Sequence, residues 1–220
     1  MTDEKTFRKT VPAATEVAST ATATEPSTVD FAMLEPRDQL KTLLQAEMKD
    51  KPFSELASVT FDHRGASVVG HILLDTLEEA GYSVDDVDAV GALTAAAVPL
   101  VSAMIQAAAS RGEDLNGFVM DFVYPSIKGP SITGKRVVLL DSWLSEKSYV
   151  QTSSLVTLRN GNELSLDFSV VEREGAEVLA VASLIGGVDI IHPTIKVVNP
   201  VSGYESELPF IEVYKESELH

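Results

Sequence analysis

The chain has 220 residues, a formal charge of -16, 45% hydrophobic residues and no cysteine. Such acidity argues against a nucleic-acid partner, which needs clustered Lys and Arg to release counterions, and it disfavours anionic membranes and polyphosphate ligands. No apolar run approaches the roughly 18 to 20 residues that cross a bilayer, and the lack of cysteine excludes disulfides and thiolate chemistry and is compatible with a cytoplasmic location.

Residues 1–32 are rich in Thr, Ala, Ser and Pro, as in "VPAATEVASTATATEPSTVD". This composition cannot bury enough apolar surface to offset its ordering entropy, so a disordered tail is predicted. Lys5, Arg8 and Lys9 are followed by no apolar segment of the kind that a targeting peptide needs. The remainder, 33–220, is expected to form a single domain.

From Pro36 the pattern turns helical, with Leu40, Leu43, Leu44 and Met48 on one face. A second helix is predicted from about Ala66 to Ala80, turning Val69, Ile72, Leu73 and Leu77 inward and stopping at Gly81. "DVDAVGAL" reads as a short buried strand, and "AAVPLVSAMIQAAASRG" as an apolar helix ending at Gly112. "GFVMDFVY" and "KRVVLLD" are strands, "LDFSVVEREG" a helix, and "AEVLAVASLIGG" a strand buried on both faces. The alternation predicts an α/β fold, a mostly parallel sheet with helices on both sides. Within "SYVQTSSLVTLRNGNEL", the "NGN" turn signal points to an inserted hairpin or a long loop. "TIKVV" and "PFIEVY", set among prolines, read as edge strands or a terminal flap.

A buried strand that ends in an acid and a short loop is where α/β proteins place phosphate-handling loops, built on Gly and Thr so that backbone N–H groups approach the anion. After Asp141 this chain offers Trp143, Leu144, Glu146, Lys147 and Tyr149 instead. Ser142, Ser145 and Ser148 lack a G-x-S-x-G elbow and a positioned His. His63, His71, His192 and His220 show no metal-ligand spacing, so no metal site is expected. Glu78, Glu79, Asp85, Asp86 and Asp88 read as a solvated acidic face.

The order of segments resembles the actinobacterial orotate phosphoribosyltransferases, members of the type I phosphoribosyltransferase fold. "TFDHRGASVVGHILL", "VDAVGALTAAAVPLVSAM", "GPSITGKRVVLLDS" and "EREGAEVLAVASLI" carry the likeness from about Thr60 to Gly187, and the closing "ELPFIEVYKESEL" is loosely similar. The resemblance implies a mostly parallel five-stranded central sheet flanked by helices, with a core over about 60–187 and an insertion over about 148–164. It also implies a reduced or altered hood, because "QAEMKDKPFSELASV" runs straight into "TFDH".

Carried over residue by residue, the likeness points to a damaged site. Of the two acids that bracket the ribose hydroxyls of phosphoribosyl pyrophosphate, Asp141 keeps the first and Ser142 replaces the second. The 5′-phosphate loop T-T-T-T-G-N-S becomes Trp143, Leu144, Ser145, Glu146, Lys147, Ser148 and Tyr149. Glu146 there sets a like charge beside the phosphate, a repulsion of roughly 4 kcal/mol at about 4 Å and an effective dielectric near 20. The pyrophosphate turn becomes Thr94, Ala95, Ala96, Ala97, Val98 and Pro99, with Ala where close backbone approach favours Gly. In the mobile catalytic loop the leading cation is replaced by the acid Asp121, followed by Phe122, and only Lys128 remains of the cations. The Asp-Arg pair that helps hold orotate is Gly186 and Gly187.

These changes imply a catalytically inactive relative with a regulatory, scaffold or interaction role, self-associating as a homodimer or pairing with an authentic phosphoribosyltransferase. No cofactor is then expected. The alternative is an active phosphoribosyltransferase of pyrimidine nucleotide metabolism, with orotate or an altered base as substrate, using Asp141 and Lys128 with Mg²⁺ and phosphoribosyl pyrophosphate. A third reading is a pocket for an uncharged ligand, walled by Ala95 to Val98, Phe122 and Trp143. Trp143 either plugs the vacated phosphate position or anchors a partner.

Overall fold

Five neighbouring strands run parallel and form the centre of the sheet. They are β1 (Ala89–Ala92), β2 (Asn116–Asp121), β4 (Arg136–Leu144), β7 (Glu177–Gly186) and β9 (Glu205–Lys215), in the spatial order β2-β1-β4-β7-β9. The computed structural model describes residues 31–49, 56–121, 126–144, 156–159, 163–166, 169–187, 194–198 and 205–220. The tail over 1–30, Phe122, Ser145 to Tyr149, the "NGN" turn and His192 lie outside the described residues. Leu34–His220 form one compact unit.

Beyond the parallel centre, β3 (Ser126–Lys128) pairs antiparallel with β2. On the other side β8 (Thr194–Val198), β6 (Glu163–Leu166) and β5 (Val156–Arg159) complete nine strands among the described residues. β5 and β6 pair antiparallel with Arg159 opposite Glu163, so the segment around "NGN" carries a strand pair. "PFIEVY" is not an edge strand, contrary to the sequence reading. The C-terminal half of β9 pairs parallel with β7 and its N-terminal half antiparallel with β8, so one long strand joins two ladders. Pro209 sits where those halves meet, opposite Thr194, which is how a strand containing proline stays interior.

Helices cover both faces. α1 (Pro36–Met48), α2 (Ala57–Thr60), α3 (His63–Glu79) and α4 (Val98–Arg111) share one buried cluster, in which Leu40, Leu44, Leu73, Leu77, Leu100 and Met104 meet Val138, Leu140 and Ala182 of the sheet. α5 (Ser169–Arg173) covers the other face, where Val170 and Val171 pack with Phe118, Val137, Leu139 and Val181. Each of these Val, Leu, Phe and Met side chains contributes about 1.5–3 kcal/mol by leaving water. α3 begins three residues before the predicted start because Asp62 caps it, accepting from the Arg64 N–H at 2.8 Å. The side-chain hydrogen bond from Arg64 holds that carboxyl down at about 2. α4 ends as expected at Gly112, whose φ of 78° is the left-handed cap that glycine adopts without strain. α3 and α4 touch backbone to backbone at Gly70, where a Cβ would overlap the Ala103 carbonyl.

Two further sequence readings change. The acidic cluster is not simply solvated: Asp88 accepts from the Arg136 N–H at 2.8 Å and from its Nε at 3.3 Å, with Lys135 3.6 Å away, and the Arg136 guanidinium donates to the Asp85 carbonyl at 2.7 Å. These contacts clamp the start of β4, and the Arg136 backbone hydrogen bond holds the Asp88 carboxyl below the usual range. Secondly, β4 does not stop at Asp141. It runs on through Ser142, Trp143 and Leu144, paired with β7 as Trp143 opposite Ile185 and Leu144 opposite Gly186. Among the described residues no helix is long and apolar enough to cross a membrane.

Candidate functional site at the carboxyl edge of the sheet

Parallel strands deliver their C-terminal ends to one edge of the sheet, where open α/β folds place their ligands. β1 leads there through Leu93, whose N–H donates to the Leu140 carbonyl at 2.9 Å, into Thr94. A 3-10 turn over Ala95–Ala97 follows, and Val98 opens α4 with Pro99 in its first turn. Thr94 does not cap that helix. Its hydroxyl donates instead to Asp141 Oδ1 at 2.9 Å, and the Ser142 N–H donates to the same oxygen at 2.7 Å. Asp141 is 4% exposed, and Thr94 and Ser142 are buried with it. The turn and the strand end, far apart in sequence, are therefore joined through one carboxylate oxygen.

Trp143 is 5% exposed and packs in the same cluster as α1, α3 and α4, whereas Leu144 is fully buried in the other cluster. Ala95 and Ala96 are exposed and Ala97 is buried. Lys128 lies at the far edge on β3, with Asp121 as an ion-pair partner at 3.6 Å. Three inter-strand steps of about 4.8 Å separate β3 from β4, roughly 14 Å of backbone. The structure thus brings Thr94, Asp141 and Ser142 together and leaves Lys128 apart from them. His63 is exposed, His71 lines the groove between α3 and α4, and His220 lies 3.6 Å from Glu216. No group of three His, Asp or Glu suited to a metal ion occurs among the described residues.

Sequence reasoning missed Glu212. It sits on the interior strand β9 between buried Ile211 and Val213, and an acid inside "PFIEVY" was the available signal. Burial pushes its carboxyl up to about 7 from 4.5, with Lys215 opposing the rise and Glu218 adding to it. An acid raised in the folded state is still protonated there while the unfolded chain ionises. Stability therefore falls as pH rises from about 4.5 to about 7 and levels off above. A Glu212→Gln variant loses that slope, and urea melts will show it gaining on the parent at about pH 8 relative to about pH 5. Parallel curves at both pH values would contradict the assignment.

A mostly parallel sheet with helices on both faces, closed by a turn and an acid at its carboxyl edge, defines a type I phosphoribosyltransferase-like protein. Among solved structures, orotate phosphoribosyltransferase of Mycobacterium tuberculosis in complex with phosphoribosyl diphosphate aligns with a TM-score of 0.56 at 19% identity, over 86% of this chain and 95% of that one. A phosphoribosyltransferase from Corynebacterium diphtheriae aligns with a TM-score of 0.55 at 20% identity, over 84% and 98%. At such identities these likenesses speak for the fold. No protein-family model matches the chain. The orotate phosphoribosyltransferase of Streptomyces coelicolor is 30% identical over 151 residues, 66% of this chain and 72% of the relative, and that of Tropheryma whipplei is 30% identical over 149 residues, 65% and 61%. The chain belongs to the orotate phosphoribosyltransferase family.

Proposed function

We propose that this chain is a catalytically inactive member of its family, kept for a regulatory, scaffold or interaction role. The observation that carries the reading is the continuation of β4 past Asp141. Trp143 and Leu144, the first two of the seven residues that would have to form an open anion-binding turn, are paired into the ladder with β7 opposite Ile185 and Gly186, and their side chains are buried. A backbone nest needs N–H groups turned toward the anion, whereas strand N–H groups point along the sheet to a neighbour.

The described residues also fit Mg²⁺ and a pyrophosphorylated sugar poorly. Mg²⁺ is held through one or two carboxylates and substrate phosphates. Here Asp141 is buried with one oxygen already accepting two hydrogen bonds, and Ser142 stands where the second acid is expected. Trp143, on this reading, plugs the vacated phosphate position. The partner is a second copy of this chain or an authentic phosphoribosyltransferase. The competing reading, an active transferase using Asp141 and Lys128, has the retained Asp141 in its favour, while the separation of Lys128 weighs against it.

Calorimetric titration with phosphoribosyl pyrophosphate and Mg²⁺ tests the proposal. The expected result is no saturable heat and no nucleotide formed from orotate. Micromolar binding of the sugar phosphate overturns it and restores the active reading.

A further inference from the structure

The family resemblance places an Asp-Arg pair, which helps hold orotate, at Gly186 and Gly187. That position is not vacant. β9 sends Glu212 across it from the neighbouring strand: a Cβ on Gly186 would overlap Glu212 Oε2 and stand 2.8 Å from its carboxyl carbon. Glycine at 186 is thus the residue that leaves room for a carboxyl supplied from elsewhere. Where the resemblance expects an Asp-Arg pair, the structure holds the Glu212 carboxyl, with Lys215 of the same strand opposite Gly186.

Glu212 also lines a cavity of about 440 Å³ between α1 and the end of β9, a size that suits a small ligand. The cavity walls are fixed. Arg37 donates to the Val213 carbonyl at 2.9 Å, lies 5.8 Å from the centre of the Tyr214 ring and reaches Glu79 at 3.5 Å. The Tyr214 hydroxyl donates back to the Arg37 carbonyl at 2.6 Å. Asp38 and Lys41 from α1, with Lys215 and Glu218 from the chain's end, complete the charged lining. Among the described residues, none donates a hydrogen bond to the Glu212 carboxyl. A half-buried carboxyl with free acceptor sites is complementary to a pair of adjacent N–H donors, the fork geometry in which guanidinium meets carboxylate. It repels a second carboxylate.

We propose that Glu212 anchors a site for a small amidine or amino-substituted nitrogen heterocycle presenting two adjacent N–H donors, a ligand of opposite polarity to orotate. The site rests on family membership for its location, but not on catalytic inactivity. Binding of a sugar phosphate at Asp141 would leave it untouched.

The probe is 2-aminopyridine, whose ring nitrogen and amino group form such a fork, with benzoate as the carboxylate control. The expected result is saturable binding by calorimetry, with the carboxyl carbon resonance of Glu212 moving in step with occupancy. Glu212→Gln should weaken that binding by about tenfold to a hundredfold, the usual loss for a charge-assisted hydrogen bond, whereas Glu218→Gln at the rim keeps it within about twofold. Because the pair holds one shared proton, affinity peaks near pH 7, where the Glu212 carboxyl titrates, and falls on either side. Lys215 shifts that maximum down and Glu218 shifts it up, while Arg37, Asp38 and Lys41 face the same space. Benzoate bound as tightly, a Glu212→Gln protein with undiminished affinity, or no saturable binding would each overturn the site.

Discussion

Replacing Trp143 with alanine lowers the stability of the protein by about 3–5 kcal/mol, the range for truncating a large buried aromatic. The side chain is 5% exposed and shares its cluster with Leu100, Met104, Leu184, Ile185 and Tyr214, so its removal opens a cavity bounded by both sheet and helices. For a domain of this size the midpoint of thermal unfolding falls on the order of 10 °C. Trp143 is the chain's one tryptophan, so its fluorescence reports the parent's unfolding directly and circular dichroism follows the variant. Trp143→Phe retains most of the volume and costs less. A loss below about 1 kcal/mol for the alanine variant would mean that the strand end is not part of the core, and the inactive reading would lose its physical basis.

The second large effect is at Thr94. Valine keeps its shape but removes the hydroxyl that donates to Asp141 at 2.9 Å. A hydrogen bond to a carboxylate in a buried setting is worth about 1.5–3 kcal/mol, and Thr94→Val should lose that amount in urea melts. Thr94→Ser, which retains the donor, should recover a substantial part of it. Coupling is the sharper measurement: in a double-mutant cycle with Asp141→Asn, the two changes should fall short of additivity by about 1 kcal/mol or more. Strict additivity would mean that the contact contributes nothing to the fold.

Much of the architecture was legible because apolar periodicity is a strong signal. The runs that became β4 and β7 are apolar enough to be buried on both faces, and the 3.6-residue spacing in α1 and α3 fixed their inward sides. The errors came where a local signal competed with a distant one. Asp141 and Ser142 interrupt an apolar run and so read as the end of a strand. Yet the Asp141 carboxylate accepts from Thr94, 47 residues away in sequence, and from the Ser142 N–H, and the strand continues. The prolines around "PFIEVY" suggested an edge, but Pro209 sits where β9 changes neighbours. Asp88 looked like surface until Arg136 and Lys135 closed on it.

At the site, the motif positions were readable only through the family likeness, and the Thr94–Asp141 contact, which joins two of those positions, follows from the topology. Glu212 belongs to no motif at all. Its meaning depends on Gly186 at the end of the neighbouring strand, a relation no short window of sequence contains.

The course of β4 bears on how this lineage can change. On the inactive reading proposed above, exchanging one residue for glycine, or Ser142 for an acid, leaves the β4–β7 pairing and the buried Trp143 in place, so single steps meet a stability cost before any catalytic return. On that reading reversion requires several coordinated exchanges at once, and the architecture works as a ratchet that sends descendants forward into new partnerships more readily than back to the reaction of their relatives.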